Sequence, residues 1–225
     1  MRLDVFTLFP EWFEWFMGQR HVRNALEDGH KLRFFNPRVR TPLTGGQVDD
    51  TPYGGGAGMV MRVDVIDAAL EAAYTDGDQP ARTVLLTPGG RQFTEALAAE
   101  FAAESSLALI CGRYEGVDER VREHLATDAV SIGPSVLSGG EPAAMVVADA
   151  ILRKLPGALG HEMSAVEESF SDALDGAPEY PQYTRPAEYK GWEVPEVLLS
   201  GDHERVREWR LERSRERAAE GEAEA

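Results

Sequence analysis

The residues best suited to chemistry lie in one run, Ser131-Ile132-Gly133-Pro134-Ser135-Val136-Leu137-Ser138-Gly139-Gly140-Glu141-Pro142. A strand-like segment, residues 129–132, feeds into it, and an apolar helix pattern, residues 143–155, leaves it. Glycine permits positive φ and lets a ligand approach the main chain closely. Amides at the start of a helix can hydrogen-bond that ligand. The run therefore reads as a pocket lined by backbone at a strand-to-helix turn. Taken alone, SGGE would be an ordinary tight turn. Two other apolar strands end in similar loops, 83–87 at Pro88-Gly89-Gly90 and 107–111 at Gly112-Arg113-Tyr114-Glu115-Gly116. Three consecutive loops of this kind point to a small-molecule pocket.

The elements that must position these loops follow from the pattern around them. Residues 3–8 alternate as a strand and 31–36 form a second. Residues 11–18 read as a short aromatic helix. Residues 63–73, 93–103 and 118–126 have helical periodicity. Strands alternating with helices imply an α/β domain with a largely parallel sheet. Ligands bind such sheets at the carboxyl ends of the strands. Asp49 and Asp50 precede four glycines in the five residues 54–58. That segment is neither a P-loop nor a GxGxxG turn. It suits a plain flexible connection or a lid closing on a substrate.

The chain has 225 residues and a formal net charge of −16, which argues against a generic nucleic-acid coat but leaves room for a local basic patch. Only three cations are lysine, Lys31, Lys154 and Lys190; the rest are arginine, whose fork matches phosphate and base edges. The acid-rich, lysine-poor balance also fits a saline cytoplasm. The first forty residues carry several arginines among acids and read as a solvated face or an anion-binding patch. The five histidines and single cysteine lack metal-ligand spacing. One cysteine cannot form an internal disulfide and fits a reducing cytoplasm. Neither a signal peptide nor a membrane-spanning run is expected.

After Pro156 the texture changes. Residues 157–186 are rich in Gly, Pro, Ser and acids and read as a linker carrying function or disorder. Residues 195–199 and 202–219 look helical, with Asp202 as N-cap of the last helix. That helix interleaves six arginines with glutamates and contains Trp209. It reads as a salt-bridged exposed helix or as a nucleic-acid contact.

Together the stretches VFTLFPEWF, VDDTPYGGGAGMVM, CGRYEGVDERV, SIGPSVLSGGEPAAM, PGALG, EESF, YTRP and VPEVLLSGDH resemble the bacterial tRNA (guanine-N1)-methyltransferase family, of the SPOUT class. The resemblance spans residue 1 to about 217. It implies an α/β fold with a parallel sheet, helices on both faces and a deep trefoil knot, plus a small helical C-terminal domain. The implied domains are a knotted S-adenosylmethionine domain (1–160), a linker with the catalytic carboxylate (161–186) and a tRNA-binding domain (187–225). A cytoplasmic homodimer with active sites across its interface is implied as well. S-adenosylmethionine would be held by Leu86, Thr87, Pro88, Gly112, Tyr114, Glu115, Ile132, Gly133, Pro134, Ser135, Val136, Leu137, Gly139 and Gly140. Gly139 and Gly140 would leave room for the bent cofactor, so that Gly140→Val blocks it without unfolding the chain. The tRNA would meet Asp49, Arg205, Arg210 and Arg213. Magnesium dependence is not readable from sequence.

The implied reaction methylates N1 of the guanosine just 3′ of the anticodon, position 37, in support of the reading frame. Guanine N1 carries a proton at neutral pH. A base must remove it as the methyl arrives, and negative charge then grows on O6. The EESF match makes Glu168 the base, and the ILRKLPG match makes Arg153 the O6 partner. On composition alone Glu167 and Glu168 would be solvated linker acids. The chain departs from the family pattern in having Glu rather than Asp at 168. It also carries extra residues near Asp175 and Glu179, which leaves open which of those acids matches a family carboxylate. It stops soon after the arginine-rich helix, where family members often continue. A binding module that kept the pocket and lost or weakened the chemistry is the alternative.

Overall fold

The computed structural model describes residues 1–75, 77–159 and 168–224, the last four of these without side chains. The chain divides into two units, 1–160 and 161–225.

In the first unit the strands are β1 (Arg2–Phe6), β2 (Lys31–Phe35), β3 (Asp49–Asp50), β4 (Val60–Met61), β5 (Arg82–Gln92), β6 (Ser106–Cys111) and β7 (Asp128–Ser131). The helices are α1 (Glu14–Met17), α2 (Arg20–Glu27), α3 (Pro37–Arg40), α4 (Val63–Ala73), α5 (Glu95–Ala102) and α6 (Glu141–Leu152). Five strands form one parallel sheet in the order β2-β1-β6-β5-β7. The expected α/β class and parallel sheet are present.

Successive residues of a strand face opposite sides, and both sides of this sheet are covered. Leu3, Val5, Val84, Leu86, Leu107, Leu109 and Cys111 join residues of α2, α5 and α6 in one core. Phe6, Leu85, Ala108 and Ile110 join Val65, Ile66 and Ala69 of α4 in the other. Double burial is why β5 and β6 read as continuous apolar runs. Thr94 caps α5 by accepting the Leu97 amide at 3.3 Å.

Three expectations need correction. The strand at 83–87 does not stop at Pro88-Gly89-Gly90; β5 continues to Gln92. Leu86 and Arg91 both pair with Val130, so the residues between them bulge out of the ladder. A Cβ on Gly90 would lie 2.4 Å from the Val130 amide nitrogen, so glycine is what lets the strands pass. The aromatic helix at 11–18 is split into a 3-10 turn, Pro10–Phe13, and α1. The helix at 118–126 is a single π turn, Val121–Leu125.

In the second unit β8 (Glu188–Tyr189) and β9 (Trp192–Glu193) form a hairpin, followed by α7 (Glu196–Leu199) and α8 (His203–Glu224). Asp202 accepts the Arg205 amide at 3.2 Å, as expected of an N-cap. Residues 168–177, expected as irregular linker, form a closed loop. The Phe170 amide donates to the Ala177 carbonyl at 2.9 Å, and Leu174 is buried. Among the described residues no helix is long and apolar enough to cross a membrane.

Candidate functional site

The three glycine-rich loops do converge. One cavity lies where β5, β6 and β7 end, and thirteen of the fourteen residues expected at the cofactor line it; Pro134 does not. The bulge in β5 places Leu86, Thr87 and Pro88 along one side. The loop after β6 is anchored from outside, because the Glu115 amide donates to the Met59 carbonyl and the Met61 amide to the Gly116 carbonyl, at 3.0 and 2.9 Å. The loop after β7 is folded by Ser131, whose hydroxyl accepts the Gly133 amide at 3.2 Å. Ile132, Val136, Leu137, Leu86 and Ala143 supply apolar lining. Such a slot fits a flat heterocycle held by main-chain groups.

Gly139 and Gly140 line the cavity and also make room for protein atoms. A Cβ on Gly140 would lie 2.7 Å from the Cys111 Cα and 3.0 Å from the Gly112 nitrogen. The Gly140 amide donates to the Gly112 carbonyl at 2.8 Å, so it is not available to a ligand. Gly140 thus lets the loop lie against the end of β6, and Gly140→Val displaces protein backbone, against the expectation that it leaves the fold intact. A Cβ on Gly139 would meet the Arg113 Nε at 2.4 Å and the Glu141 Oε2 at 2.7 Å. Its space holds an ion pair.

That ion pair was missed in the sequence. Glu141 is fully buried at the start of α6, where the helix dipole favours an acid. The Thr7 hydroxyl donates to its Oε1 at 2.9 Å, and Arg113 Nε lies 3.0 Å from its Oε2. The Nε–Oε2 approach is a charge contact without hydrogen-bond alignment. Arg113 also donates to the Ser138 carbonyl at 3.1 Å and lies over the rings of Phe9 and Trp12 at 4.4 and 4.6 Å. It therefore ties the loop after β6, the loop before α6 and the segment after β1 together beside the cavity. Burial first, then the Glu141 charge, pushes the neighbouring Cys111 thiol up, so it stays neutral. No signal in composition marks Arg113 or Glu141 as buried; the acid right after SGG was the available clue.

The remaining site residues stand elsewhere. Asp49 lies on β3, paired with Met61, and does not line the cavity. The glycine segment after it packs on the loop after β6: a Cβ on Gly58, at φ +83°, would lie 2.4 Å from the Glu115 side chain. Arg153 follows the last turn of α6, its amide bonded to the Asp149 carbonyl at 3.1 Å. The twelve residues of α6 span about 18 Å, so Arg153 sits about a helix length from the cavity.

In the second unit, Glu168 is partly buried at the start of the closed loop, and its carbonyl accepts the Ser171 amide at 3.1 Å. Glu167 lies outside the described residues, as do residues 161–166 of the expected linker. Asp175 takes a left-handed turn at φ 52°, while the Glu179 amide donates to Ser169 Oγ at 2.9 Å. Arg213 is engaged by Glu212 and Glu216, at 3.2 and 2.5 Å. Arg210 lies over the Tyr180 ring at 4.7 Å. Arg205 is exposed, and among the described residues its guanidinium has no partner. Among the described residues no group of three or more His, Cys, Asp or Glu is placed to hold a metal ion.

A family model described as tRNA (Guanine-1)-methyltransferase TrmD matches residues 1–224. A tRNA (guanine-N(1)-)-methyltransferase of Brevibacillus brevis is 50% identical over 218 residues, 95% of this chain and 86% of the relative. One from Pelotomaculum thermopropionicum is 49% identical over 216 residues, 95% and 85% of the two chains. One from Geotalea uraniireducens is 49% identical over 220 residues, 97% and 87%.

Proposed function

This chain belongs to the tRNA (guanine-1)-methyltransferase family, and on that premise we propose that it carries a methyl group from S-adenosylmethionine to N1 of guanosine 37, just 3′ of the anticodon. It is a methyltransferase, and tRNA is its substrate. The observation that carries the fuller reading is the cavity at the ends of β5, β6 and β7, framed by three main-chain loops.

The lining fits S-adenosylmethionine. The bound donor would supply an electrophilic sulfonium methyl. Ile132, Val136 and Leu137 would cover its adenine, and the β5 bulge with the loop after β6 would hold the rest in a bent form. Leu137 is 41% exposed, so replacing it leaves the core intact. Leu137→Arg is expected to weaken S-adenosylmethionine binding about tenfold or more, with an unchanged melting temperature. Undiminished affinity by calorimetry would remove this placement.

Glu168 takes the N1 proton and Arg153 meets the charge growing on O6. The length of α6 between Arg153 and the cavity supports the reading that the arginine of a second copy completes each site. The homodimer reading rests on that separation and on the exposed Trp12, Trp15 and Val146 of the first unit. A trefoil knot in the sheet domain and a cytoplasmic location complete the proposal, with 161–186 as the linker and 187–225 as the tRNA-binding part.

Arg205, exposed on α8, is a phosphate contact, whereas the carboxylates around Arg213 neutralise it. Each phosphate contact steepens the salt dependence of RNA binding. Arg205→Ala is expected to reduce the log–log salt slope for tRNA by about one, and Arg213→Ala by much less. Equal slopes in both variants and wild type would make α8 a solvated face.

A further inference from the structure

The second unit holds a cavity of its own, between residues 180–187, α7 and α8. It is lined by Tyr180, Tyr183, Thr184, Arg185, Trp209 and Arg210, over an apolar floor that includes Leu198. The YPQYTRP segment builds this wall. The two residues before it are tied to α8, because Ser214 Oγ donates to the Pro178 carbonyl and Arg217 to the Glu179 carbonyl, both at 2.7 Å. The Tyr183 and Trp209 rings meet at a centroid distance of 6.3 Å, tilted by 57°. Tyr183 is nevertheless 48% exposed. An aromatic that only filled the small core of this unit would be covered. The lining contains two arginines and no carboxylate, although the chain as a whole has 39 acids against 23 bases. The charged groups that line this cavity are therefore both cationic.

We infer that this cavity receives one unstacked nucleobase of the tRNA. The inference rests on the tRNA reading above and adds a base-binding subsite to it. Single-stranded bases are recognised by stacking on aromatic rings and on guanidinium planes, with nearby polar groups on the base edge. The cavity offers each: Tyr183 and Trp209 as rings, Arg210 as a guanidinium already placed over the Tyr180 ring at 4.7 Å, and Thr184 as an edge partner. Arg185 stands at the same wall, where the phosphate of that nucleotide needs a cation. Arg210 acts here by stacking rather than as a free phosphate contact.

The test measures binding of the full chain to an unmodified tRNA transcript over a salt series. Tyr183→Ala is expected to weaken tRNA binding roughly 5- to 100-fold, and Tyr183→Phe by no more than about twofold. The salt slope stays at the wild-type value, because stacking releases no counterions, and S-adenosylmethionine affinity is unchanged. A tRNA substituted with 4-thiouridine is expected to cross-link to the peptide containing Tyr183 or Trp209. Wild-type tRNA affinity in Tyr183→Ala would overturn the inference. So would a Tyr183→Ala effect on sedimentation without one on tRNA binding, since the cavity would then hold a second copy or another protein segment. A wild-type chain that fails to bind tRNA at all would overturn the tRNA reading itself, and this subsite with it.

Discussion

Glu168→Gln is expected to lose about 100- to 10,000-fold in the single-turnover rate of methyl transfer while keeping its affinity for S-adenosylmethionine and tRNA. The amide has the shape of the carboxylate but cannot take a proton from guanine N1. Without that transfer the in-plane lone pair stays tied up as N–H, whatever the quality of binding. Glu168→Asp is expected to remain active, because it keeps a carboxylate at the position and shortens the arm by one methylene. The loop carrying Glu168 is held closed by the Phe170–Ala177 and Ser171–Glu168 hydrogen bonds, so the substitution leaves its frame in place. If Glu168→Gln turns over at the wild-type rate and Glu167→Gln fails, the base is Glu167.

Glu141→Ala is expected to destabilise the first unit by about 3–5 kcal/mol, read from urea unfolding at neutral pH. The side chain is 0% exposed and its partner Arg113 only 13%. Removing the carboxylate leaves a guanidinium charge shut away beside the cavity, facing the Ser138 carbonyl and two aromatic rings. It also leaves the Thr7 hydroxyl without its acceptor. Replacing both charges at once, Glu141→Leu with Arg113→Met, is expected to recover most of the loss, since a buried pair and a well-packed apolar pair are close in stability. A single-variant cost below about 1 kcal/mol would mean that water reaches the pair as it reaches a surface salt bridge.

How far the sequence carried the structure depended on which interactions decide each element. The sheet was legible because β5 and β6 are buried on both faces and leave long apolar runs. α4 was legible at its full length because it packs only one face, with Val65, Ile66 and Ala69 inward. The end of β5 was not legible. Pro88-Gly89-Gly90 is a breaker by composition, and only the crossing with Ala129 and Val130 reveals that glycine there permits contact between strands. α2 was hidden because its eight residues bury only Val22 and Ala25 among charges.

The candidate site divides in the same way. Its glycine-rich loops were readable, since a backbone-lined pocket needs residues that rarely appear together by chance. The reason for Gly139 and Gly140 was not, because the atoms they make room for, in Arg113, Glu141 and Cys111, belong to other turns of the chain. Glu168 and Arg153 carried no chemical signal of their own; one is an acid among acids, the other one arginine of many. The roles proposed for them come from resemblance to the family.

Methyl transfer to N1 of one guanine can be tested directly. The wild-type chain is mixed with methyl-labelled S-adenosylmethionine and two unmodified tRNA transcripts, one with guanosine at position 37 and one with adenosine there, and the RNA is digested to nucleosides. Label is expected only in the first transcript, recovered as 1-methylguanosine. Bound S-adenosylmethionine with no label in either RNA, or label at another atom or position, would contradict it.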